Sequence, residues 1–198
     1  MFKRTKKDIA INVDEKLGQL FLGNKDLRLL MLRPIDLIEF AEFAGSSAED
    51  ILLWTGKTVG KHLSTQLIPD VNWENESLSI KKKAIRGILD TLEHLGFGVL
   101  RSKFAKDNVE IHVHEPLSES EKENIMAKNI CRLYQGVFNG LFENMEVAVD
   151  AEEISCCLLD DDACVFKYTL LDGEFDDADI DPEDMEDQEK YRSLIPID

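Results

Sequence analysis

The periodicity of apolar residues changes three times between residue 35 and residue 171, and the order of those changes constrains the fold more than any other feature. Residues 35 to 95 carry helical spacing in three blocks. Two alternating runs follow, then one long helical block, then alternating runs as far as Leu171. Helices are not interleaved one per strand, so the pattern is not that of a doubly wound sheet. It predicts an α+β fold: N-terminal helices, a β-hairpin, a long helix and C-terminal antiparallel strands.

Local signals place the boundaries. "IAINV" at 9–13 reads as a short strand, and "LRLLMLRP" ends at Pro34, a residue suited to the first turn of a helix. The helix that follows spaces Ile35, Ile38 and Ala41 or Glu42 on one side and stops at Gly45. Ser46 and Glu49 have capping-box spacing, so a second helix is predicted over about 47 to 67, with Ile51, Leu52, Thr55, Val59 and Leu63 inward. After a loop at 69 to 78, a third helix over 79 to 95 buries Ile80, Ala84, Ile88, Leu92 and Leu95 and stops at Gly96 and Gly98. A hairpin turns near Lys106–Asn108. Ser118 and Glu121 form a second capping box, opening a helix to about 142. "MEVAVDAEE", "ISCCLL" and "ACVFKYTLL" are strand-like, with a turn at Asp160–Asp162. One domain over 1–172 and an acidic tail over 173–198 are expected.

Charge limits the partners. The net charge is -17, and the tail holds eleven acids against Lys190 and Arg192. Nucleic acid and anionic membrane surfaces need clustered Lys and Arg, so neither is expected as the main partner. The short basic run "KRTKK" reads, like the tail, as a solvated end. No stretch approaches the about 20 apolar residues of a membrane span. Basic residues follow Met1 without an apolar leader core, so a cytoplasmic location is expected. In a reducing compartment clustered cysteines point to a metal or redox site rather than a disulfide framework.

Most motifs that suggest chemistry dissolve on inspection. "WTGKTVG" resembles a phosphate loop, but Ile51 stands where its first glycine belongs, inside a helical pattern. Gly56 and Gly60 read instead as places of close approach. "EIHVHE" puts His112 and His114 on one strand face without a third donor. No catalytic triad, zinc-protease motif or dinucleotide loop is present, so no catalytic residue is assigned and an enzyme is not expected.

The cysteines remain. A strand through Glu153–Leu158 would point Cys156 and Cys157 to opposite faces, while the aspartate turn folds Cys164 back beside Cys156. Cys131 borders the buried stripe of the long helix, whose Gly136 and Gly140 would let it pack closely on a sheet. Three thiolates and the Glu153 carboxylate make the four ligands that zinc prefers. Equally, buried cysteines serve as small apolar residues. Spacing alone leaves both open.

The stretch "CRLYQGVFNGLFENMEVAVDAEEISCCLLDDDACVFKY", Cys131 to Tyr168, resembles the core of the 4-vinyl reductase (V4R) domain family. The matching positions are Gly136, Gly140, Glu153, Cys156, Cys164 and Phe166, with Cys131 in the place of an earlier helical cysteine. The resemblance implies zinc bound by Cys131, Glu153, Cys156 and Cys164. It also implies an α/β plait like that of Bet3-type trafficking subunits and haem-nitric-oxide-binding domains, enclosing an apolar pocket. Family members imply a receptor for a small hydrophobic molecule, with a homodimer or a regulatory protein as partner. A Bet3-like dimeric scaffold and a vinyl-reductase-type enzyme are the alternatives. Tyr134 and Phe138, at i+3 and i+7 from Cys131, are the candidates to line the pocket, or are ordinary core. Asp160 stands where the family usually has glycine, and Cys157 is a thiol the pattern does not need.

Overall fold

The computed structural model describes residues 11–22 and 27–175. Residues 9 and 10 of the first predicted strand, the "KRTKK" run and the acidic tail beyond Phe175 lie outside them. β1 (Ile11–Asp14), β2 (Gln19–Leu22) and β3 (Arg28–Leu29) form a small antiparallel sheet. Pro34 opens α1 (Pro34–Ala44), and Gly45 closes it at φ 59°. Asp36 accepts the Arg33 backbone N–H at 2.8 Å, satisfying one donor at the helix entry.

α2 (Ala48–Leu67) corrects two expectations. The Ser46–Glu49 box does not form. A single 3-10 turn, Gly45–Ser47, feeds directly into the helix, and Ser47 is already helical at φ -93°. A capping side chain needs an extended residue at that point, and there is none. The buried stripe is also shifted. It runs through Ala48, Leu52, Gly56, Gly60 and Leu63, while Ile51 and Thr55 are only half-buried and Val59 is exposed. A glycine carries no hydropathy signal, yet here glycine marks the most crowded face.

α3 (Leu78–His94) begins at Ser77, whose hydroxyl accepts the Ile80 N–H at 3.4 Å. It buries Ala84, Ile85, Ile88, Leu89 and Leu92; Ile80 is exposed and Leu95 half-buried. Gly96 at φ 87° and Gly98 at φ 88° turn the chain into β4 (Val99–Phe104) and β5 (Asn108–His114). α4 (Lys128–Asn144) then crosses the molecule, followed by β6 (Val149–Ser155) and β7 (Cys164–Leu170). The four-stranded sheet has the order β4-β5-β7-β6, antiparallel throughout. The α+β architecture is therefore as expected.

The Ser118–Glu121 box is a second local signal that fails. Glu119–Glu121 and Ile125–Ala127 are isolated 3-10 turns, and α4 starts only at Lys128. Ser118 is fully buried, with its hydroxyl 3.8 Å from Cys157 Sγ, so it does not cap. Asn124 instead accepts the Met126 N–H at 2.9 Å and caps the start of the 3-10 turn before α4.

α4 is buried on two sides. Its sheet face carries Tyr134, Phe138 and Phe142, which meet Phe166 and Tyr168 of β7. Gly136 and Gly140 do not face the sheet, as the sequence suggested, but α2. A Cβ on Gly136 would lie 2.1 Å from Leu53 O, and one on Gly140 2.1 Å from Lys57 O. The relation is mutual: Cβ atoms on Gly56 and Gly60 would lie 2.1 Å from Leu133 O and 1.9 Å from Val137 O. The two helices touch backbone to backbone. Lys57 of the rejected phosphate-loop motif pairs with Glu143 of α4 at 2.5 Å, which holds that carboxyl below its usual range. At the other end, Phe175 packs edge-on to Phe104 at 5.0 Å and is 3% exposed, so the packed body continues past Asp172.

Candidate metal centre

The site is built where α4, β6 and β7 meet. Cys164 opens β7 opposite Val113 of the neighbouring β5 and is fully buried. Cys131, on the first turn of α4, is 3% exposed. Glu153 pairs with Phe166, so it shares the face of the sheet turned to α4. A bulge between Glu153 and Ser155 absorbs one residue and pushes Ile154 outward, 47% exposed. The strand ends there. Cys157–Leu159 is a 3-10 turn, not the strand expected from "ISCCLL".

That turn changes the fate of the adjacent cysteines. Strand alternation would send Cys156 and Cys157 apart. In the turn both reach the cluster: Cys156 Sγ lies 3.8 Å from Cys131 Sγ, and Cys157 Sγ lies 3.4 Å from Cys164 Sγ. The Cys157 backbone N–H also donates to Cys164 Sγ at 3.4 Å.

The aspartates are a turn, as read from the sequence, but one of them does more. Asp160 adopts the left-handed conformation at φ 66°, ψ 21°. Asp161 accepts the Cys156 N–H at 2.9 Å, and that bond holds its carboxyl below the usual range. Ser155 donates its hydroxyl to Ala163 O at 2.8 Å, closing the same loop. Local side-chain-to-backbone bonds of this kind fix the loop without a sheet ladder. Asp160→Gly is expected to be neutral or stabilising, by up to about 1 kcal/mol, because glycine meets no Cβ penalty in the left-handed region. Denaturant unfolding measures it.

One donor atom each from Cys131, Glu153, Cys156 and Cys164 lies within 4.8 Å of the others. A zinc–sulfur distance of about 2.3 Å puts the sulfurs of a tetrahedral site about 3.8 Å apart. The Cys131–Cys156 separation matches this. Glu153 Oε1 is buried without a hydrogen-bond partner. A buried carboxylate oxygen left so is costly unless a cation faces it. The donor set is soft, three sulfurs and one oxygen, and fits zinc better than a hard cation.

Protonation within the cluster is uneven. Cys131 directs its proton toward Cys164 and is pushed far above the usual thiol range. Cys164 is drawn down to about 6, first by that thiol and against its own burial. Burial raises Cys156 to about 11 and Cys157 to about 12.

Tyr134 and Phe138, the candidate ligand residues, lie in the main core, 1% and 0% exposed. Their rings pack with Phe97 and Phe166. The Tyr134 hydroxyl donates to Phe97 O at 2.7 Å and accepts the Leu117 N–H at 3.0 Å. Tyr134→Phe leaves both backbone groups unpaired, with an expected loss of about 2 kcal/mol in urea unfolding. His112 and His114 stack at 6.4 Å, and Glu110 is 3.3 Å from His112. Burial and Lys103 lower the His112 pKa. The pair joins no group of three metal donors among the described residues. No helix among the described residues is long and apolar enough to cross a membrane.

No family model matches the chain. Nor does any curated protein sequence. Solved structures do match. The phenol-responsive sensory domain of the transcription activator PoxR, with phenol, superposes with a TM-score of 0.63 at 12% identity, covering 91% of each chain. An H-NOX domain from Shewanella oneidensis in its Fe(II)CO state superposes at 0.51 and 10% identity, covering 75% of this chain and 83% of that one. A trafficking protein particle complex subunit 3 from Naegleria fowleri, covalently bound to palmitic acid, matches at 0.42 and 18%, covering 72% and 99%. At these identities the first two likenesses are likenesses of fold alone, and they agree with the α+β architecture described above.

Proposed function

We propose that this chain is a zinc-stabilised domain of the 4-vinyl reductase family that binds a small hydrophobic molecule. The observation that carries the reading is the convergence of Cys131, Glu153, Cys156 and Cys164 around an unpartnered Glu153 oxygen. Three thiolates and a carboxylate close a tetrahedral zinc site, which leaves no position for a substrate. Zinc would therefore staple α4 to the β6–β7 loop rather than catalyse. The fold likeness to a phenol-responsive sensory domain supports a small aromatic or apolar ligand. Tyr134 and Phe138 are the residues proposed to meet it, on the stretch of α4 that begins at Cys131.

Metal analysis and native mass spectrometry of anaerobically purified protein test this. The expected result is one zinc per chain, with a co-purifying apolar molecule or a saturable response to added phenol. Protein without metal would overturn the zinc reading. Zinc-bound protein that takes up no apolar ligand would overturn the receptor reading alone.

Exposed aromatic side chains favour a second reading, a dimeric scaffold. Phe43 on α1 is 91% exposed and Trp54 on α2 is 68% exposed, and large apolar residues so open to water favour interfaces. Light scattering on the wild type and on a Phe43→Glu, Trp54→Glu variant separates the two. A dimer that dissociates in the variant supports the scaffold, and a monomer in both removes it.

A further inference from the structure

The four thiols are not equivalent. Cys157 Sγ is 3.4 Å from Cys164 Sγ, closer than the 3.8 Å between Cys131 and Cys156, yet Cys157 stands outside the four-donor group. It is half-buried in the turn Cys157–Leu159, next to Leu159, which is 77% exposed. Its thiol lies in hydrogen-bond range of the Cys164 thiol and of the Ser118 hydroxyl, 3.8 Å away. A donor thiol thus touches a non-donor thiol near the surface.

We propose that Cys157 and Cys164 form an oxidative modification site, in which a peroxide joins them in a disulfide and withdraws Cys164 from the metal set. The metal consequence rests on the zinc reading above, whereas the bond itself does not. In the first step one of the two sulfurs, as thiolate, attacks a peroxide oxygen. The O–O bond breaks, hydroxide leaves, and that sulfur becomes a sulfenic acid. The other sulfur then attacks it: the S–S bond forms, the S–O bond breaks, and a second hydroxide leaves. The two thiol protons convert both hydroxides to water, so two thiols and one peroxide give one disulfide and two waters. The sulfurs must close from 3.4 Å to the about 2.05 Å of a disulfide, which the short turn carrying Cys157 permits by side-chain rotation. Cys131, Glu153 and Cys156 are then left as three donors, one short of a closed zinc site. A dithiol reductant reverses the change.

The test uses the full chain loaded with one equivalent of zinc and treated with hydrogen peroxide. Metal release is followed with a chromogenic chelator and linkages by non-reducing peptide mass mapping. The expected products are a Cys157–Cys164 peptide and released zinc, both reversed by dithiothreitol and added zinc. In Cys157→Ser and Cys157→Ala variants, whose folds are checked by circular dichroism, the linked peptide is absent and peroxide-driven release slows by about tenfold or more. A different linkage in the wild type, or release as fast in both variants, overturns the inference. If the purified protein takes up no zinc, the metal reading fails, and the mass map still decides whether Cys157 and Cys164 are joined.

Discussion

If zinc is held as proposed, replacing Cys164 by serine is expected to abolish its binding and to lower stability by at least about 3 kcal/mol, because the free energy of filling a structural zinc site is folding free energy. Serine keeps the size of the side chain but offers a neutral hydroxyl in place of a soft thiolate. The remaining donors come from α4, from β6 and from Cys156 just after it, so β7 is no longer tied to them through the metal. Metal content and urea unfolding in a reducing buffer check it. Without a metal, the same substitution would alter only a buried thiol and cost about 1 kcal/mol. The size of the effect therefore reports on the site. Acidification is expected to act in the same direction as the substitution. Thiolates must be free of protons to hold zinc, so affinity falls as pH falls, and a chelator should strip the metal faster at low pH.

Gly60→Ala is expected to destabilise by about 3 kcal/mol, at the upper end of ordinary overpacking. The new methyl would sit 1.9 Å from Val137 O, a backbone atom that no rotamer change can move. The helices must separate along their length, opening gaps at the other three glycines. Gly140→Ala, 2.1 Å from Lys57 O, should behave alike. Gly87→Ala on α3 is the control. It meets nothing within 4 Å and should stabilise by about 0.5 to 1 kcal/mol, the ordinary helix propensity gain. Thermal unfolding of the three variants separates packing from propensity.

Signals that a single residue type carries alone were legible in the sequence. Pro34, Gly45, Gly96 and Gly98 each act through the backbone conformations open to one residue, Pro34 and Gly45 at the two ends of α1 and Gly96 and Gly98 in the turn between α3 and β4. The candidate donors Cys131, Glu153, Cys156 and Cys164 were nameable through the resemblance of Cys131–Tyr168 to a known family, and Asp160 makes the left-handed turn that precedes Cys164 here. Signals that need a partner were not. Ser118 has the sequence of a cap, but its buried hydroxyl lies beside Cys157, and that neighbour is thirty-nine positions away. Gly136 and Gly140 announced close packing without saying against what. Cys157 was misplaced because alternation holds only while the strand lasts, and a bulge at Ile154 ends it. Asp161, which ties down Cys156, looked no different from its two neighbours.

The glycine crossing of α2 and α4 has a mechanical meaning. Interlocked side chains can change rotamer and let one helix roll over another. Backbone against backbone has no such slack, because rolling α4 by one residue would drive Leu133 or Val137 into the space that Gly56 and Gly60 leave open. α4 has thereby lost rotation about its own axis as a degree of freedom, and translation along α2 is resisted by the same four contacts. A displacement imposed at the Cys131 end of α4 therefore reaches α2 directly through these backbone contacts, and the two helices move as one unit.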